Sequence, residues 1–146
     1  MAGIRARRET FAQPEKRRVM RAYGRWLFGT AVVFNIAVAL DLLLLRYWFP
    51  SPLLPLDPIG GTNLVLADFT GLLVGMFGIV YAAIAVDPVK FRLYIPLGIA
   101  GKLLAVVSTV VPWLMGAVRW KIPALTGIDL IYAALFFDFL RRTKAV

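Results

Sequence analysis

The sequence contains no cysteine and no histidine, and only eight acidic residues among 146. Without cysteine there are no disulfides, thiol nucleophiles, iron–sulfur clusters or thiolate zinc sites, and the redox compartment cannot be read from thiol usage. Without histidine there is no bis-histidine haem, no imidazole-bound copper, iron or zinc, and none of the side chains that most often serve as a general base near neutral pH. Inside the apolar parts of the chain, carboxylates, Lys102 and tyrosines are the titratable groups that remain. What the sequence has in excess is hydrocarbon. Hydrophobic residues make up 60% of it and the mean hydropathy is +0.77, against about 45–50% apolar residues in ordinary soluble domains.

This apolar content falls into four stretches, at about 23–48, 65–86, 94–115 and 122–140. Each is long enough to cross a hydrocarbon core of about 30 Å at about 1.5 Å per helical residue. The reading is one all-α integral membrane domain over residues 23–141, an antiparallel four-helix bundle, preceded by a basic arm (1–22) and followed by a short tail (142–146).

The net charge of +9 does not point to nucleic acid, because the basic residues mark topology rather than line a stripe. Eight lie in the arm and at the start of the first span (Arg5, Arg7, Arg8, Lys16, Arg17, Arg18, Arg21, Arg25), two between the second and third spans (Lys90, Arg92) and three in the tail (Arg141, Arg142, Lys144). These thirteen share one side; Arg46, Arg119 and Lys121 are on the other, and the seventeenth, Lys102, is within a span. The positive-inside rule then places both termini in the cytoplasm of a cell-membrane protein. The first apolar stretch is too long for a signal-peptide core of about 7–15 residues and lacks a small-residue cleavage site, so it stays attached. The arm has no serine, which speaks against a transit peptide; contact with anionic headgroups or with a partner are the readings it leaves open.

Proline and glycine separate the spans. The connection Pro50–Gly61 holds four prolines and cannot continue a helix, yet it is apolar enough to lie in the interface. Asp87-Pro88 ends the second span, and Pro123 suits the first turn of the fourth. Trp48, Trp113 and Trp120 mark one interface, and Tyr23, Trp26 and Tyr94 the other.

Helical spacing sorts the faces. Asp68, Gly71, Gly75, Gly78 and Ala82 share a face of the second span, and Gly98, Gly101, Lys102, Ala105 and Thr109 form a comparable ridge on the third. Such small-residue faces let backbones approach closely where lipid removes the usual hydrophobic drive. The two ridges are expected to meet or to flank one interior.

Polar residues interrupt the spans: Asn35, Asp41, Asp68, Lys102, Asp129 and Asp138. Counted from the outer belt, Asp68 is within one turn of the surface, Asp41 and Asp129 are about 9–10 Å down, and Asn35 and Lys102 about 16–18 Å. A lone ammonium near the midplane costs about 2.5–3.5 kcal/mol on insertion scales, so Lys102 requires a partner. Asp129 is the first candidate, although helical side chains lean toward their own N-terminus and so carry these two apart. Asn35, or the hydroxyls of Tyr81 and Tyr132, are alternatives. Asp138 precedes Arg141 and Arg142 by three and four residues and reads as a surface ion pair, and Arg46 as a residue snorkelling to the interface.

The run Tyr81-x5-Asp87-Pro88-x3-Arg92-x5-Gly98-x2-Gly101-Lys102, with Asp129 in the last span and its aromatic end Phe136-Phe137-Asp138-Phe139, resembles uncharacterised small bacterial four-span proteins. In general layout, from about Trp26 onward, the chain is similar to DoxX-like membrane proteins. That resemblance implies a bacterial inner-membrane bundle acting as a subunit or accessory factor beside a redox or detoxification enzyme, with quinone as a small partner.

Two functions compete. One is a noncatalytic binding or accessory subunit whose polar intramembrane site holds a lipid, a quinone or a partner helix; the other is an oligomeric proton-coupled carrier using the same charges. Enzymatic activity ranks third, since aspartates supply acid and base but no recognised catalytic constellation is present. Partners are expected to be membrane lipids and either a larger membrane complex or further copies of the chain. The charge asymmetry yields a direct test of topology: tags at either terminus of the protein in intact cells should be shielded from external reagents, while a label within Pro50–Gly61 should react. An exposed terminus would reverse the orientation.

Overall fold

In the computed structural model, residues 2–49 and 62–143 are described, and the interfacial placement expected for the Pro50–Gly61 connection lies outside them. The described residues form four long helices, α1 (Ala2–Leu43), α2 (Thr62–Val86), α3 (Ile95–Leu114) and α4 (Lys121–Arg142), and two short 3₁₀ turns, Leu45–Tyr47 and Arg92–Tyr94. All four are long and apolar enough to cross a membrane, and they leave large apolar side chains such as Leu72, Ile79, Leu104, Val107 and Ile131 on the outside. The chain is built as a multi-pass membrane protein.

The first helix differs from the boundaries read in the sequence. It runs unbroken through the basic arm and the first apolar stretch, and it ends at Leu43, after which the chain tightens into the 3₁₀ turn. At the same end of the bundle, α3 closes with a glycine in the left-handed region, Gly116 at φ +75°. The Gly116 N–H donates to Trp113 O (2.9 Å) and the Ala117 N–H to Pro112 O (2.8 Å). This paired bonding satisfies the last carbonyls of the helix and reverses the chain toward α4.

The helices pair as two antiparallel hairpins, α1 with α2 and α3 with α4, and the hairpins touch each other sparsely. In the first, a Cβ built at Gly71 would lie 2.8 Å from Leu43, one at Gly75 3.4 Å from Ala39, and one at Gly78 2.9 Å from Ile36. The glycine face of α2 therefore receives α1. The α3 ridge has a different partner: Gly98 and Gly101 lie beneath the rings of Tyr81 and Phe77 of α2. The two glycine ridges thus do not meet each other; each accepts bulk from a neighbour, and Ala82, expected on the α2 face, is exposed.

The hairpins join at the end that carries both termini. Leu27, Phe28 and Ala31 of α1, Tyr81 and Ile84 of α2, Ile95 of α3, and Phe136 and Phe139 of α4 form one buried layer. Phe28 stacks on Phe136 with centroids 4.6 Å apart and meets Phe139 edge-on at 5.6 Å, arrangements favoured by the ring quadrupoles. Below this layer the turn after α2 is fastened by Asp87, whose carboxylate accepts the N–H groups of Val89 and Lys90 at 3.2 Å each. The Lys90 N–H, with Arg21 and Arg25 nearby, holds the Asp87 carboxyl below its usual range. Arg92 reaches Thr143 O at 3.1 Å and ties the start of α3 to the end of α4.

Gly24 measures how tight this end is. A Cβ there would lie 2.6 Å from the rigid Pro88 ring and 2.8 Å from Phe139, whereas one at Gly29, on the same helix, would meet nothing within 4 Å. Gly24→Ala should lower stability by about 1–3 kcal/mol through overpacking, and Gly29→Ala should be neutral or raise it by up to about 1 kcal/mol. Thermal unfolding of the two variants in one detergent compares them, and equal melting temperatures would show that the Gly24 contact is not a constraint.

Candidate functional site

Between the hairpins, beyond the aromatic layer, lies a cavity of about 300 Å³. Its walls are Phe34, Asn35, Val38 and Leu42 of α1, Ala67, Thr70, Val74, Phe77 and Tyr81 of α2, Gly101, Lys102, Ala105, Ser108 and Thr109 of α3, and Ile122, Leu125, Thr126 and Asp129 of α4. Most of this lining is apolar. Thr70 and Ser108, on α2 and α3, are solvent-exposed as well as cavity-lining, so the chamber opens between those two helices.

Its polar end is built on Lys102, which is 5% exposed. The Lys102 Nζ donates to Asp129 Oδ1 at 2.5 Å and to Asn35 Oδ1 at 2.7 Å. Asn35 in turn donates through Nδ2 to the carbonyl of Val74 at 3.2 Å. One chain of hydrogen bonds therefore crosses all four helices. The ammonium also lies 5.1 Å from the Phe34 ring centroid, 5.5 Å from Tyr81 and 5.4 Å from Tyr132, within the range where the negative faces of aromatic rings attract a cation.

The opposing lean of Lys102 and Asp129 does not keep them apart, and the register explains why. Thr109 and Thr126 share a hydrogen bond of 2.7 Å across α3 and α4. In that antiparallel register Lys102 is level with Ala133, about one turn, or 6 Å, from Asp129, a gap the four-carbon lysine stem covers. The alternatives resolve as follows: Asn35 is a second partner, and Tyr81 contributes its ring while its hydroxyl donates to Gly98 O at 3.3 Å.

The remaining polar residues are elsewhere. Asp41 is buried at 1% exposure and does not line the cavity. Asp68 pairs with Arg46, so Arg46 does not snorkel into water; its side chain is 8% exposed and is turned inward across the end of α1. Asp138 pairs with Arg142 one helical turn on, at 2.7 Å, on the exposed surface. The sequence reading missed Phe34 and Thr126 as site residues. Thr126 was within reach of it, since it precedes Asp129 by three positions and shares its face.

Chemically the cavity offers a charge-assisted donor–acceptor pair at the closed end of an apolar chamber, and among the described residues no cluster of acidic side chains is arranged to hold a metal ion. Fold and site together define an all-α membrane protein of two helical hairpins bridged by an internal polar network. No protein-family model matches the chain, nor does any curated protein or solved structure, and the DoxX-like likeness has no counterpart among them.

The network makes a thermodynamic prediction. Lys102→Met leaves the Asp129 carboxylate without its buried partner and should cost about 3–5 kcal/mol. Adding Asp129→Asn should return most of that loss, with a coupling of at least about 1 kcal/mol in a double-mutant cycle read from unfolding in detergent. Strictly additive losses would mean that the two residues do not act as a pair.

Proposed function

We propose that this chain is a noncatalytic binding or accessory subunit of the cell membrane, with both termini cytoplasmic, that holds a lipophilic small molecule in the cavity between its hairpins. The observation that carries the reading is the cavity itself: apolar on most of its wall, polar at one end, and within the size range of about 300–1,000 Å³ typical of ligand sites. A lipid or a quinone has the required division into a polar head and an apolar body. Access between α2 and α3 supports entry sideways from the hydrocarbon, the phase in which such molecules are concentrated. The apolar outer surface suits surrounding acyl chains, further copies of the chain or a larger membrane complex.

The closed aromatic layer favours binding over the carrier alternative. A solute crossing the bundle would have to pass Phe28, Phe136 and Phe139, each fully buried at 0% exposure, and dense packing of this kind does not open without moving helices. The test is extraction of the whole purified protein and mass spectrometry of what accompanies it. The wild type should carry one lipophile in fixed ratio, and Ala105→Phe, which adds a ring to the cavity wall, should lose it while its melting temperature stays within a few degrees. The same extract from both proteins would overturn the proposal.

A further inference from the structure

The cavity's charges cancel, and this restricts the ligand. Lys102 has three N–H bonds; two are committed to Asp129 and Asn35, and the third has no hydrogen-bonding partner among the described residues. Asp129 accepts through Oδ1, and its other oxygen receives no hydrogen bond from a described residue. Both residues line the cavity. A donor with one N–H left and an acceptor with a whole oxygen left thus stand side by side at its closed end. Whichever of the two holds the shared proton, the pair sums to zero charge, and Asn35 adds none. Among the described residues no other carboxylate or cation lines the chamber, and the Arg46–Asp68 pair at the end of α1 is compensated in the same way.

A ligand bearing a single charge would leave that charge unbalanced against apolar walls, whereas a dipolar head would exchange bonds with Lys102 and Asp129 at no net charge. Resting on the reading of the cavity as a ligand site, we infer that it selects lipophiles whose head is net neutral and carries both a hydrogen-bond donor and an acceptor, as a primary amide or a hydroxy-ketone does. Carboxylate and ammonium heads on the same tail are rejected.

The test uses the full chain in nanodiscs of zwitterionic lipid, with radiolabelled dodecanamide as the probe and unlabelled dodecanamide, dodecanoate, dodecylammonium and dodecane as competitors. In the wild type, dodecanamide should compete at least about tenfold better than any of the other three. Charge removal should redirect the site in opposite senses. Asp129→Asn leaves the ammonium and should favour dodecanoate, and Lys102→Met leaves the carboxylate and should favour dodecylammonium, each by about tenfold over its wild-type rank. Should either single variant fail to fold, the double variant Lys102→Met/Asp129→Asn keeps the cavity without the pair and should take dodecane as well as dodecanamide. Equal competition by all four compounds in the wild type, or a preference there for either charged head, overturns the head-group rule and leaves the cavity reading standing. Absence of saturable binding by any probe in the wild type, with none of the competitors altering thermal stability, overturns the cavity reading and this inference with it.

Discussion

The requirement that a buried ammonium be compensated organises this bundle. Lys102 is buried near the middle of α3, a helix apolar enough to cross hydrocarbon, and its two hydrogen bonds reach α1 and α4. Through Asn35 the same network reaches the backbone of α2. The two hairpins otherwise share little contact outside the aromatic layer, so the network is the second point at which they are fixed relative to each other. Removing the ion pair altogether would relieve a desolvation cost; retaining it specifies how far apart, and in which register, the hairpins stand.

Packing between the helices follows from the solvent. Lipid tails are as apolar as leucine, so burying leucine between helices gains little, and close backbone approach has to substitute. Gly71 and Gly78 let α1 settle onto α2, and Gly98 and Gly101 accept the aromatic rings of α2. Aromatic side chains do in the terminal layer what glycine does along the helices: Phe28, Phe136 and Phe139 interlock by ring geometry rather than by exclusion of water.

Much of the architecture was legible in the sequence because it depends on local quantities. The lengths of the last three spans, the stop at Asp87-Pro88 and the break after Gly116 are fixed by hydropathy and by residues with restricted or unusual backbone preferences. The faces of individual helices follow from spacing, which is why Asn35, Lys102 and Asp129 stand out as interior. Relations between helices are not local. Which ridge meets which helix depends on inter-helix register, set by contacts such as Thr109 with Thr126. The lean of side chains argued against Lys102–Asp129 because it was applied without that register. Arg46 was misread for a related reason: the 3₁₀ turn at Leu45–Tyr47 brings its guanidinium onto Asp68, and nothing in the span's periodicity announces where a helix tightens.

The cavity follows from an asymmetry along α2 and α3. Toward the termini, α2 presents Tyr81 and Phe77, and α3 answers with Gly98 and Gly101, so large meets small and the gap closes. One turn further, α3 continues with Ala105 and Thr109, but α2 now presents Val74 and Thr70, so small meets small and the helices leave a space. In water such a gap between apolar walls would favour collapse. In lipid the drive to collapse is weak, and the Lys102 network together with the Thr109–Thr126 contact fixes the far wall. A space held open in this way loses dispersion contacts on every lining atom unless something apolar fills it. The same residues that keep the hairpins apart therefore supply both the room for the lipophile proposed above and the polar end that would orient it.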